Sequence, residues 1–296
     1  MDLESILALP KQHRYTFIGL LISLFVIALL IDSKFSELSL LEAFIGYIRS
    51  IAAAILTSLF LLWVITSFLP HQKKGEGLTE IEAQKITKEF DELLKSAKRW
   101  RYKGNFGRYM RGKVLPTLAN QQNCHISACI IDPTNNELCD EHARYRSQIN
   151  SIDKGSKYDA DTVALQVLVT VVICAWYSIN TRATIELYLS QSFDPVRIDS
   201  NDDAMIITVE DRRSHALKVT KHHFTYEHFE MSMEFARKQG RKVNLGGVRS
   251  DIKLSELQQQ DVSTALNLAD MSELCQRLTP EKILQACLES KNPYEN

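Results

Sequence analysis

The sequence predicts a membrane protein with an N-terminal hairpin of two transmembrane helices and a cytoplasmic mixed α/β domain. Three observations carry this prediction. Two long uncharged runs occur before residue 70. Charge density rises sharply after His71. Beyond that point, short apolar segments of period two alternate with segments of helical period. Over all 296 residues the composition is unremarkable for a soluble chain, with 24% charged residues and a formal net charge of −1. That balance argues against a polybasic nucleic-acid coat.

The first seventy residues hold only Lys11, Arg14, Lys34 and Arg49 as basic residues. Residues 15–31 carry no charge and, as a helix, reach roughly 26 Å, close to the thickness of a bilayer's hydrocarbon core. Residues 51–69 form a second such run, with Trp63 near its end and Pro70 after it. The first run is too long for the apolar centre of a signal peptide, and no small-x-small cleavage site follows it. Lys11 and Arg14 flank one helix, and Lys73 and Lys74 flank the other on the same side. The expectation is therefore a multi-pass protein of the cell inner membrane with both termini in the cytoplasm. A helix starting near residue 39 puts Glu42, Gly46 and Arg49 on one face. Two readings follow: gating of an oligomeric opening, or snorkelling at the outer interface.

Residues 71–100 read as a juxtamembrane helix. Thr79 and Glu82 form a capping box, Ile86, Phe90, Leu93, Leu94 and Ala97 recur at helical spacing, and Asp91 can pair with Lys95. Residues 101–296 read as the α/β domain with a helical C-terminus. A turn over residues 102–107 precedes a basic helix carrying Lys113. Strands are expected at 124–131, 185–189, 204–209 and 216–220. Helices are expected at 137–149, 162–179, 226–240, 255–277 and 280–290. Asp161 is the expected cap of residues 162–179, a stretch apolar enough to imitate a third span. Gln166, Thr170, Tyr177 and Ser178 interrupt it, which favours a buried core helix.

Lys103, Arg108 and Arg111, grouped around two glycines, are the candidates for contact with an anion or a partner. The alternative for these residues is a solvated basic face. No catalytic, cofactor-binding or metal-ligating residue is assigned. Cys124, His125, Cys129 and Cys139 read better as buried thiols in a reducing compartment than as a zinc cluster. His222, His223 and His228 read as surface imidazoles. Asp199, Asp202, Asp203, Glu210 and Asp211 read as a solvated acidic loop rather than a magnesium site.

The alternating strands between residues 182 and 209 faintly resemble a degenerate phospholipase D-like fold. The segment His215-Ala216-Leu217-Lys218 is one residue too long for that family's H-x-K motif and has no matching Asp. As a whole, residues 15–31, 51–69 and 100–132 resemble the two-transmembrane effectors encoded beside retrons in bacterial anti-phage defence. That resemblance implies a non-enzymatic, toxin-like effector of abortive infection. A retron reverse transcriptase and its msDNA, an RNA–DNA hybrid molecule, would hold it inactive. Once released on phage interference, it would disrupt membrane lipid as a homo-oligomer. Two alternatives stand beside this reading: a membrane-tethered phosphodiesterase or nuclease, and a receptor-type effector gated by a cyclic oligonucleotide near residues 103–113.

Overall fold

The computed structural model describes residues 40–68, 77–151, 155 and 158–290. The chain divides into two units, Met1–Lys74 and Gly75–Asn296. The first expected span, residues 15–31, lies outside the described residues. In the first unit, helix α1 (Leu40–Phe68) runs unbroken for 29 residues and takes in most of the second expected span. Glu42, Gly46 and Arg49 therefore all sit within a helix. Leu41, Phe44, Ile45, Ile48, Ile51 and Leu56 of α1 are exposed. The Ser50 hydroxyl is satisfied inside the helix, donating to the Gly46 carbonyl at 3.1 Å.

The second unit is built on one eight-stranded mixed sheet in the order β1-β7-β6-β5-β2-β3-β4-β8. Its strands are β1 (Leu78–Ile81), β2 (Arg99–Lys103), β3 (His125–Ile131), β4 (Thr184–Ser190), β5 (Val196–Ser200), β6 (Ala204–Val209), β7 (Ala216–Thr220) and β8 (Arg241–Lys242). The central strands β2, β3 and β4 are parallel, and every other pairing is antiparallel. Register places Trp100, Ile126 and Ile185 in one cross-strand row and Tyr102, Ala128 and Leu187 in the next. Because side chains alternate along a strand, Arg101, Ser127 and Glu186 form a row on the opposite face.

The apolar face is covered by α2 (Ile86–Lys95), α4 (Asn136–Gln148), α5 (Ala160–Asn180), α7 (Gln259–Leu268) and α8 (Pro280–Leu288). A π-helical turn over Met110–Val114 runs into the short α3 (Leu115–Leu118). Helix α6 (Phe224–Gln239) lies alone on the polar face, burying Tyr226 and Met233 against Ile198, Met205 and Val219.

Among the described residues, α5 is the helix long and apolar enough to cross a membrane, yet 67% of its apolar window is buried within the protein. Val163, Val167, Leu168, Val171, Val172 and Cys174 are wholly or almost wholly enclosed. Each such aliphatic side chain contributes ~1.5–3 kcal/mol by leaving water. The Trp176 indole donates to the Ile252 carbonyl at 3.1 Å, and Arg111 satisfies Thr170 from the side. Gln166 and Thr170, two of the polar residues that interrupt the apolar run, are thus points of tertiary attachment.

Several local expectations need correction. Over its described part, residues 77–100, the expected juxtamembrane helix of residues 71–100 is not a single helix: β1, a 3-10 turn, α2 and β2 occupy residues 78–103. Helical spacing holds for Ile86, Phe90, Leu93 and Leu94 of α2, the last three buried and Ile86 packed against the core. Thr79 pairs with Lys218 in the sheet instead of capping, because β1 adds to β7 as an edge strand of the sheet. Lys95 pairs with Glu92 at 2.7 Å, while Asp91 meets Lys113 at 3.6 Å. The expected helix 255–277 is interrupted by Asp270, whose φ of 58° is left-handed and ends the helical run after α7.

Helix α5 is capped by Asp159, which accepts from the Thr162 amide at 2.9 Å and from its hydroxyl at 2.7 Å. Asp161, the expected cap, instead meets Arg277 at 2.7 Å on the surface. Asp159→Ala should therefore lower unfolding stability by about 1 kcal/mol. Asp161→Ala should change it by less than about half of that. Denaturant titration of the two variants side by side reads the difference, and equal losses would refute the assignment of the cap.

Candidate functional site

The three basic residues grouped by sequence are separated in space. Lys103 and Tyr102 are consecutive in β2 and so project to opposite faces of the sheet. On the α6 side, Lys103 Nζ binds Asp194 Oδ2 at 2.8 Å and Ser232 Oγ at 3.2 Å. It lines a cleft of about 620 Å³ with Cys129, His228, Met231 and Phe235. A neighbouring cleft of about 660 Å³ is lined by Arg101, His125, Ser127, Glu230 and Arg237. Ion pairs run through it: Arg101 to Glu230 at 2.5 Å, and Glu186 to Lys242 at 2.6 Å and Arg237 at 3.5 Å.

Arg111 is buried and belongs to the scaffold, contrary to the expectation of a solvated basic face. Its guanidinium donates to the Gln166 carbonyl at 2.8 Å, Thr170 Oγ1 at 2.7 Å, Gln166 Oε1 at 2.5 Å and Ser290 Oγ at 3.0 Å. Burial lowers its pKa to about 10, so it remains charged at neutral pH. Arg108 is the member of the trio that reaches a cleft on the helical side.

That cleft has a volume of about 220 Å³. It opens beside Ala83, Ile86 and Thr87 and is lined by Tyr102, Phe106, Arg108, Arg146, Arg197, Thr208, Glu210, Asp211 and Arg212. Five segments build it: the start of α2, the turn after β2, α4, β5, and the end of β6 with the turn that follows. The glycines of the turn serve the fold. A side chain at Gly104 would collide with the Tyr102 ring. Gly107 adopts a φ of +70°, and its amide donates to the Tyr102 hydroxyl at 3.2 Å, so it is not presented as an anion cradle.

Aromatic rings hold the arginines. The guanidinium carbon of Arg146 lies over Phe106 at 5.3 Å and over Tyr158 at 5.2 Å. That of Arg108 lies over Phe106 at 5.3 Å, and that of Arg197 over Phe90 at 5.0 Å. Carboxylates anchor two of them from within. Arg146 Nη1 meets Glu210 Oε2 at 2.8 Å, and Arg197 Nε meets Asp199 Oδ2 at 2.9 Å. Glu210 also accepts from Asn105 Nδ2 at 2.9 Å and lies 3.3 Å from His142 Nε2. Burial pushes its carboxyl up, but the hydrogen bonds and the Arg146 charge outweigh this and hold it at about 2. Asp199 is fully enclosed. Desolvation raises it to about 6, although the Arg197 charge beside it favours its charged form.

Asp199 and Glu210 therefore leave the solvated acidic loop assigned to them, whereas Asp202 and Asp203 stay exposed in the β5–β6 turn. Arg146, Arg197 and Arg212 were not singled out by sequence. Arg197-x-Asp199 in a strand was the one available sign, since two charged residues at a spacing of two share a sheet face.

The remaining candidates take structural places. His223 caps α6, with its Nδ1 receiving the Thr225 amide at 3.3 Å. His215 pairs with Glu80 at 2.6 Å and Lys218 with Glu89 at 2.7 Å. Five cysteines are buried and Cys275 partly so, all with free thiols. Among the described residues no group of three His, Cys, Asp or Glu could hold a metal ion.

No family model matches the chain. No curated protein matches it either. Among solved structures, it is similar to that of TrmBL2, an archaeal chromatin protein described as binding DNA in a novel mode. The alignment covers 69% of this chain and 70% of that one, at 12% identity and a TM-score of 0.32.

The Glu210 anchor has a defined pH signature. Its carboxyl is depressed from 4.5 to about 2 in the folded state, so its contribution is complete above pH 4.5 and is lost as pH falls toward 2. Glu210→Gln should be less stable than the parent at neutral pH. The gap should shrink by roughly 3 kcal/mol between those two pH values. Urea midpoints measured across that range test this, and a gap independent of pH would refute it.

Proposed function

We propose that this protein is a membrane-disrupting effector of bacterial anti-phage defence, with apolar N-terminal helices as the active part and the α/β domain as the part that restrains or releases them. In this reading residues 15–31 and 51–69 form a two-helix hairpin in the cell inner membrane, both termini face the cytoplasm, and activity requires several copies. A retron reverse transcriptase with its msDNA is the proposed restraint.

The observation that carries the reading is α1. Its 29 residues form one helix whose apolar side chains, Leu41, Phe44, Ile48, Ile51 and Leu56 among them, remain exposed instead of entering a protein core. A helix that is apolar around its circumference needs a non-aqueous partner. The same unit carries Glu42 and Arg49 seven residues apart, a spacing that puts both on one face. Charges so placed in a membrane helix turn toward a bundle interior or an interface. On the α/β side, support comes from clefts whose polar groups are tied into ion pairs bridging several elements, an arrangement suited to holding one conformation against another.

Expression of the full chain alone in bacterial cells should collapse the membrane potential, read with a potential-sensitive dye, and co-expression with the restraining partner should restore it. Unchanged potential and growth, or recovery of the chain in the soluble fraction, would sink the proposal. Hydrolysis of lipid or nucleic acid by the purified chain would favour the tethered phosphodiesterase instead.

Gly46 provides a finer test. Among the described residues a Cβ at this position meets nothing within 4 Å, so α1 itself has room for the side chain of Gly46→Leu. A close helix–helix contact between copies would lose it. The variant should depolarise cells at least about tenfold less at equal membrane abundance, a loss equivalent to about 1.4 kcal/mol in association. Undiminished depolarisation would remove Gly46 from the contact.

A further inference from the structure

Helix α6 is packed by one face only. Tyr226 and Met233 bury against the sheet. On the opposite side of the helix Phe224 is 74% exposed, Met231 51% and Phe235 52%, and His228 between them is exposed as well. At 3.6 residues per turn, positions 224, 228, 231 and 235 fall in one stripe along the outer side. Large apolar side chains gathered in this way mark a surface that something else covers. The stripe widens on one flank, because Met231 and Phe235 also line the cleft that holds Phe193 and Cys129. Charge is kept to the sides of the helix. Glu230 pairs with Arg101 and Glu234 with Arg237, and Glu227 and Lys238 border the stripe.

We propose that this stripe rests on a lipid bilayer surface, with Phe224, Met231 and Phe235 inserted among the headgroups and α6 lying in the plane of the interface. The inference rests on the membrane reading given above. Two observations select lipid as the occupant. The first is where the chain enters the α/β unit. The Gly77 carbonyl accepts from the Thr220 amide at 2.7 Å, and a Cβ at Gly77 would stand 2.9 Å from that of His223, the cap of α6. Eight residues, Lys73 and Lys74 among them, separate Gly77 from Phe68 at the end of α1. Nine steps of extended chain reach at most ~32 Å. With α1 in the bilayer, the first turn of α6 is tethered to the membrane by that length. The second observation is area. The 16 residues of α6 offer a strip roughly 24 Å by 10 Å, well under the ~800 Å² that each partner gives to a stable protein complex. A bilayer demands no matching surface, and a helix with one apolar side inserts that side to the depth of the headgroups.

The test uses the full chain reconstituted in vesicles of phosphatidylcholine and phosphatidylglycerol, part of the lipid carrying a nitroxide on its acyl chain. Cys275, the half-buried thiol, is replaced by serine throughout. A thiol-linked, environment-sensitive fluorophore is then attached through Met231→Cys. Ser255→Cys, exposed beside the helical layer, serves as the reference. Both positions are exposed, so labelling leaves the core intact. Emission at 231 should shift to the blue and be quenched by the nitroxide lipid, whereas emission at 255 should do neither. Adding Phe235→Glu should lower the ratio of docked to free α6 about tenfold, as expected for the loss of one buried aromatic side chain. Equal emission and quenching at the two positions would overturn the proposal. So would a blue shift at 231 without quenching, which would assign the stripe to a protein partner or a second copy. Carbonate extraction of the same vesicles reads insertion separately. A chain that resists extraction but is unquenched at 231 loses the lipid-facing stripe and keeps the membrane helices. A chain stripped by carbonate, yet quenched at 231 beforehand, keeps the stripe and loses the membrane helices.

Discussion

Enclosure of α5 is the constraint on which the α/β unit depends. A helix this apolar is insoluble in water unless covered around its circumference. The sheet, α4, α7 and α8 each take a share of that surface. The cover also explains where the polar residues go. Thr170 receives the buried Arg111 and donates to the Phe106 carbonyl at 2.6 Å, so the α5 core is joined directly to the turn after β2. Gln166 bonds Arg108 and Arg111 together at 3.0 and 2.5 Å. The scaffold arginine and the cleft arginine are thus positioned by one glutamine of the core helix.

From that core outward, the sheet sorts charge by parity. In β2, Trp100 and Tyr102 enter the apolar core while Arg99, Arg101 and Lys103 face α6. The result is an unequal sandwich. One face is a packed hydrophobic interior with a small arginine cleft at its margin. The other is a polar interface closed by ion pairs with a single helix. Pairs on the α6 side are half-exposed and individually weak. Those around Glu210 are enclosed, and breaking one would leave a charge stranded in low dielectric.

The Glu210 cluster also shows how a local turn becomes a long-range clamp. Asn105, from the turn after β2, donates to both Glu210 and the Asp194 carbonyl. His142 and Arg146 approach the same carboxylate from α4. Two segments distant in sequence, the turn after β2 and α4, meet on one side chain, which makes Glu210 a natural point of communication between the β6–β7 turn and the helical layer.

Much of the secondary structure was legible because it follows from local chemistry. Asn135 and Thr279 cap α4 and α8 as their side chains demand, Asp132–Asn135 forms its turn, and the β-branched runs at β3, β4, β6 and β7 form strands. The apolarity of α5 and of residues 51–68 was equally plain, but whether an apolar helix meets protein or another apolar phase depends on what surrounds it. For α5 the fold answered, with sheet and helices on its flanks. Strands β1, β2, β5 and β8 were missed because they are short and mixed in polarity; β1 and β2 pair with strands well removed along the chain, whereas β5 forms a local hairpin with β6. The cleft was missed for the same reason. Arg108 lay in view, but Arg146 and Arg197 acquire a common purpose only when α4 and β5 converge. Sequence by itself determined periodicity, caps and the apolar runs, since each arises among neighbours within a turn or two. Tertiary structure decided which charges are buried, which face each occupies and which arginines share a cavity, because desolvation and Coulomb energy depend on distance in space rather than along the chain.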